Sequence, residues 1–139
     1  MKIERELPDG RNAFTGYGEG YVEVNRTRHQ ASLVVSAERL VIDWPATSVT
    51  ALSADHRAAI LELSPEVVLI GTGSAFALPE ATLLAPLHRA GIGVEVMDTP
   101  AACRTYNILL AEGRNVVAAV IVTPSPDQDT RGQAPDGAQ

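Results

Sequence analysis

Val67–Gly73 reads VVLIGTG, Pro79–Gly91 reads PEATLLAPLHRAG, Ile92–Thr99 reads IGVEVMDT, Pro100–Gly113 reads PAACRTYNILLAEG and Val116–Val122 reads VVAAVIV. Each short apolar run has the length of a strand, and each intervening segment has helical spacing and closes on a glycine. Strand–helix–strand–helix–strand over 67–122 predicts a parallel βαβαβ core, because parallel neighbours need a long return connection. In a parallel sheet Gly71-Thr72-Gly73 and Asp98-Thr99, leaving the carboxyl ends of the strands, fall on one rim. That rim is the expected place for a site.

Within the core, Pro79 suits a first helical position, whereas Pro86 predicts a bend or a late helix start. Thr99 is expected to cap the last helix, with Pro100 its first residue. Ala102, Cys103, Tyr106, Leu109 and Leu110 form the core stripe of that helix, and Arg104, Ile108 and Ala111 point away.

Working toward the amino terminus, Ser53 caps a predicted helix over 54–63. Leu40–Trp44 alternates until Pro45 stops it. Two further alternating runs, around Val22–Val24 and Ala31–Val35, predict a hairpin across the polar break at 25–28. Residues 20–44 thus form an antiparallel β-meander, and 1–19 an irregular lead-in. Residues 123–139 contain no aromatic, leucine, isoleucine or valine and read as a disordered tail. The expectation is one three-layer α/β domain over 20–122, with a mixed central sheet.

A chain of 139 residues, 45% apolar, can bury one core without staples. Its net charge of −6 argues against nucleic acid and anionic membranes, and no run is long enough for membrane insertion. The single cysteine excludes a disulfide framework, and the start MKIERELPDG has neither a secretion nor an import pattern. The cytoplasm is the expected compartment.

The run GTG-x5-P, the string GIGVEVMDTPAACRTYNILLAEGRNVVAAVI, and the earlier YGEGYVEVN, SLVVS and Trp44-Pro45 resemble a family of small α/β domains of unknown function. That family includes the mitochondrial complex I assembly factor three and uncharacterised bacterial and archaeal members. The resemblance spans about Tyr17 to Val122. It implies a mixed central sheet with packed helices and an extra amino-terminal β-layer, and, in the mitochondrial branch, assembly work through protein contacts. It implies no catalytic residue. Ser74–Leu78 (SAFAL) departs from the family by lacking charged residues, which argues against an anion site in that loop. The start MKIERELPDG also does not read as the import sequence expected of the mitochondrial branch.

Gly71, Thr72, Gly73, Asp98 and Thr99 are the candidate ligand-binding residues: backbone amides after a parallel strand can hold an anion. The segment matches neither dinucleotide nor P-loop spacing, so a tight strand exit is the preferred reading. Asp98 is a candidate base or metal ligand, but more simply accepts amides at the helix start. Cys103, near a helix amino terminus, is a redox candidate weighed against a packed thiol. Ala101, Arg104, Asn107 and Ile108 are candidates for an interface with a protein partner or a second copy of the chain. Arg104 and Asn107 could equally tie the helix to a neighbouring strand. His29, His56 and His88 lie on separate elements and suggest isolated solvated side chains, with no metal and no cofactor. With no acid–base or nucleophile constellation, a non-enzymatic protein-binding or assembly-factor-like module is the leading expectation. A small-molecule or anion binder at the rim, conceivably an enzyme, is the alternative.

Overall fold

The computed structural model describes residues 10–124. Eight strands and three α-helices are formed among them: β1 (Phe14–Gly18), β2 (Tyr21–Val24), β3 (Thr27–His29), β4 (Leu33–Val35), β5 (Leu40–Val41), α1 (Ala54–Leu61), β6 (Val67–Gly71), α2 (Ala81–Arg89), β7 (Gly93–Met97), α3 (Thr99–Ala111) and β8 (Val116–Val120). A short 3-10 turn at Val49–Ala51 precedes α1. No helix among the described residues is long and apolar enough to cross a membrane.

The central sheet has the order β5-β4-β8-β6-β7. β6 pairs in parallel with β7, Val67 opposite Gly93 through Gly71 opposite Met97, and in parallel with β8, Val67 opposite Val116 through Gly71 opposite Val120. The parallel βαβαβ core therefore stands as expected, with β6 in its middle. β8 is buried at every residue, as a strand covered on both faces must be.

The amino-terminal third is divided differently from the expectation. Phe14–Gly18, read as irregular lead-in, is a strand that pairs with β2. β2 does not pair with Leu33–Val35. It folds back onto β3 through Asn25 and Arg26, whose φ values of 50° and 69° define a two-residue primed turn. The meander is thus β1-β2-β3, a separate sheet, while β4 joins β8 antiparallel and carries β5. Alternation reports which face a residue takes, but not which strand lies beside it. β5 is also shorter than expected, and Ile42 is exposed whereas Trp44 is buried.

Three layers result. One apolar cluster joins the meander (Phe14, Val22, Val24), α3 (Ala102, Cys103, Tyr106, Leu110) and one face of the central sheet (Leu33, Leu69, Val116, Val120). The other face packs Val34, Val68, Ile70 and Val117 against Trp44, Val49 and Ile60. α2 begins at Ala81 rather than Pro79 and holds Pro86 in its interior.

His56 is not an isolated solvated side chain. Its Nδ1 accepts the Ser53 amide at 2.9 Å, which leaves Nε2 to donate to the Pro45 carbonyl at 3.2 Å. The Trp44 indole donates to the His56 carbonyl at 3.1 Å. Together these bonds pin the Trp44-Pro45 segment to the start of α1.

Candidate functional site

The carboxyl ends of β6, β7 and β8 are laced together by one hydroxyl. Thr99 Oγ1 accepts the Gly73 amide and donates to the Ile121 carbonyl, both at 2.8 Å, and the Thr99 amide donates to the Gly73 carbonyl at 2.8 Å. The Ile121 amide reaches the Gly71 carbonyl at 2.8 Å and the Thr72 amide the Met97 carbonyl at 2.9 Å. Gly71 makes this approach feasible. A Cβ there would lie 2.9 Å from Thr99 Oγ1, 3.0 Å from Thr99 Cα and 3.0 Å from Val120 Cγ1. Gly73 contributes by conformation instead, with φ of +104°.

Asp98, not Thr99, caps α3: its Oδ1 accepts the Ala101 amide at 2.9 Å, and Thr99 and Pro100 are the first two helical residues. Asp-Thr-Pro offers two capping side chains in a row, and burial of Thr99 in the strand junction assigns the cap to its neighbour. Every donor in the first turn is consequently used within the protein: Thr99 N on Gly73, Ala101 N on the Asp98 side chain, Ala102 N on the Asp98 carbonyl, while Pro100 has none. The Gly73 and Thr72 amides are occupied too.

Thr72 shapes the loop that follows. Its buried Oγ1 donates to the Ala75 carbonyl at 2.7 Å and accepts the Ala77 amide at 3.2 Å. The loop is tied inward on both sides of Phe76, and Phe76 and Leu78 stand 58% and 66% exposed.

Beside this loop opens a cleft of about 640 Å³ between the β1–β2 turn (Tyr17–Tyr21), the rim (Gly73, Ser74, Thr99, Pro100) and the exit of β8 (Ile121–Pro124). Of the predicted ligand-binding residues, Gly73 and Thr99 line it, whereas Gly71, Thr72 and Asp98 do not. The Tyr17–Tyr21 wall was missing from the expected site. Its signal was present as Gly-Glu-Gly between two tyrosines, a turn flanked by aromatics.

α3 holds that wall in place. Arg104 donates to the Tyr17 hydroxyl at 2.6 Å, and the Tyr106 hydroxyl donates to the Asn12 carbonyl at 2.9 Å. Asn107 accepts the Phe14 amide at 3.0 Å and donates to the Phe14 carbonyl at 2.7 Å, pairing with β1 as a neighbouring strand would. Of the four interface candidates, Asn107 is therefore buried between helix and meander. Arg104 and Ile108 are exposed, and Ala101 is half-buried. Cys103 is fully buried, and desolvation raises its thiol pKa, with Arg104 opposing, so it lacks the accessible thiolate a redox role needs. Burial likewise raises the Tyr106 hydroxyl. No cluster of metal-ligating side chains occurs among the described residues.

These features define a small three-layer α/β domain whose strand exits are closed by a buried threonine, leaving a cleft and an apolar loop on one rim. The chain belongs to the family described as Protein of unknown function (DUF498/DUF598), which matches residues 14–121. It is 30% identical over 123 residues to the 13 kDa major membrane protein of Francisella tularensis subsp. holarctica, covering 87% of this chain and 99% of that protein. It is 37% identical over 86 residues to NADH dehydrogenase (ubiquinone) 1 alpha subcomplex assembly factor 3 of Homo sapiens, covering 60% of this chain and 47% of that protein. The chain thus spans about half the length of the assembly factors it matches. A crystal structure of a Bordetella parapertussis protein superposes with a TM-score of 0.77 at 41% identity, over 84% of this chain and 99% of that one.

Proposed function

We propose that this domain is a non-enzymatic, assembly-factor-like module of the cytoplasm that docks a protein partner on the rim. The observation that carries the reading is the loop pinned by Thr72. A preformed turn that keeps Phe76 and Leu78 in water holds two apolar anchors ready, with little ordering left to do on binding. Two features support it. The side chains of Asp98, Thr99 and Thr72 at the strand exits are committed to bonds within the protein. Relatives that share most of this domain are named assembly factors. The test is affinity capture from source-cell lysate with the wild type and with a Phe76→Ser/Leu78→Ser variant of equal stability. A partner retained by the first and lost by the second is expected; identical capture by both would sink the rim as the docking surface.

The cleft favours a second reading, a small apolar molecule held between Tyr17, Tyr21, Pro100 and Ile121. Native mass spectrometry of the purified protein decides it. A bound mass lost on Tyr21→Ala would support it, and the bare chain mass would count against it.

A further inference from the structure

β7 is the one edge of the central sheet with five residues in regular pairing; the opposite edge, β5, has two. The Gly93 amide bonds the Glu66 carbonyl, and the Met97 carbonyl accepts from Thr72. Bonds in a parallel ladder fall on alternate residues, so Gly93, Glu95 and Met97 face β6. The N–H and C=O groups of Val94 and Val96 consequently point away from the sheet, and among the described residues no further strand or side chain is bonded to them. Such a row is a template for another strand.

The occupant is constrained by Glu95, the one charged residue of β7, which is exposed. Self-pairing of two copies must be antiparallel about a two-fold axis. The two-fold register that opposes the Val94 and Val96 groups of one copy to those of the other sets each Glu95 opposite its own copy, at the close spacing of a non-hydrogen-bonded pair. Like charges so placed repel, whereas a lysine or arginine there is attracted. We propose that β7 receives an extended segment of a partner protein as an added strand, with a basic side chain of that segment opposite Glu95. This inference deepens the protein-binding reading above and rests on it.

The test uses the full chain and a short blocked peptide of alternating lysine and valine, with two controls: its glutamate counterpart, and the lysine peptide N-methylated at alternate residues. Amide signals of Val94 and Val96 are followed by NMR. With the lysine peptide both should shift, and their hydrogen exchange should slow by roughly ten-fold or more, while the controls leave them unchanged. The surface variant Glu95→Lys should reverse the preference toward the glutamate peptide. No response at Val94 and Val96, or equal response to both peptides, would overturn the proposal. So would a wild-type protein that dimerises through β7. If the edge is silent while capture still depends on Phe76 and Leu78, edge pairing is wrong and the rim reading survives. If the edge responds and the rim variant captures as the wild type does, the rim reading is the one that fails.

Discussion

Gly71→Ala is the sharpest perturbation of the strand junction. Gly71 has no positive φ, so an alanine meets no backbone strain and its cost is steric. The added methyl would sit 2.9–3.0 Å from Thr99 Oγ1, Thr99 Cα and Val120 Cγ1, and two of those atoms belong to a helix start and a fully buried valine. Overpacking of a rigid site costs about 1–3 kcal/mol. Displacing Thr99 also weakens its bonds to Gly73 and Ile121, worth about 1 kcal/mol each. The sum is about 3–5 kcal/mol, which for a domain of this size lowers Tm by roughly 10–20 °C. Gly113→Ala is the control: it has open space and φ of +82°, so it costs about 1 kcal/mol through conformation alone. Urea unfolding of both variants, followed by Trp44 fluorescence, is the assay. If Gly71→Ala were no more damaging than Gly113→Ala, the close approach at the rim would not be what holds the three strand exits together.

Other outcomes follow from the same contacts. Thr99→Val leaves the Gly73 amide and Ile121 carbonyl unpaired and should cost about 2–4 kcal/mol, while Thr99→Ser keeps the hydroxyl and most of the stability; denaturant midpoints separate them. Asn107→Leu should cost a similar amount and detach β1, seen as faster exchange of the Phe14 amide. Cys103 and Tyr106 stay protonated in the folded protein at pH values where the unfolded chain has lost those protons. Their contribution is fully present below the ordinary thiol and phenol ranges, about 8.5 and 10, and stability declines as pH rises through them by about 1.4 kcal/mol per unit for each group. Tyr106→Phe should remove one of those slopes, and Cys103 should resist thiol reagents at pH 8 until the protein unfolds.

The parallel core was legible because its signals are local. VVLIG and VVAAV are continuous apolar runs, and Gly91 and Gly113, with φ of 79° and 82°, end their helices as glycines beyond a helix do. The shared rim followed from the strands running parallel, which puts their carboxyl ends on one side. The meander was less legible. β1 contains Gly16 and Gly18, poor strand formers in isolation, and is held by Asn107 and Tyr106 from almost a hundred residues away. The turn at Asn25-Arg26 carries no glycine, so its left-handed pair gave no warning that β3 follows at once. At the rim, Gly73 and Thr99 line the cleft. The opposing wall was not legible, because the Tyr17–Tyr21 turn reaches the rim only through the packing of α3. Asn107, on the flank of its helix, could not be assigned to core or surface until its strand partner was known.

Docking of a protein partner on the rim, as proposed, requires Phe76 and Leu78 as its anchors. The most direct measurement is quantitative mass spectrometry of proteins captured from source cells by the wild type and by the equally stable Phe76→Ser/Leu78→Ser variant. At least one protein depleted ten-fold or more by the double substitution is the expected result. Capture profiles that coincide within error would contradict it.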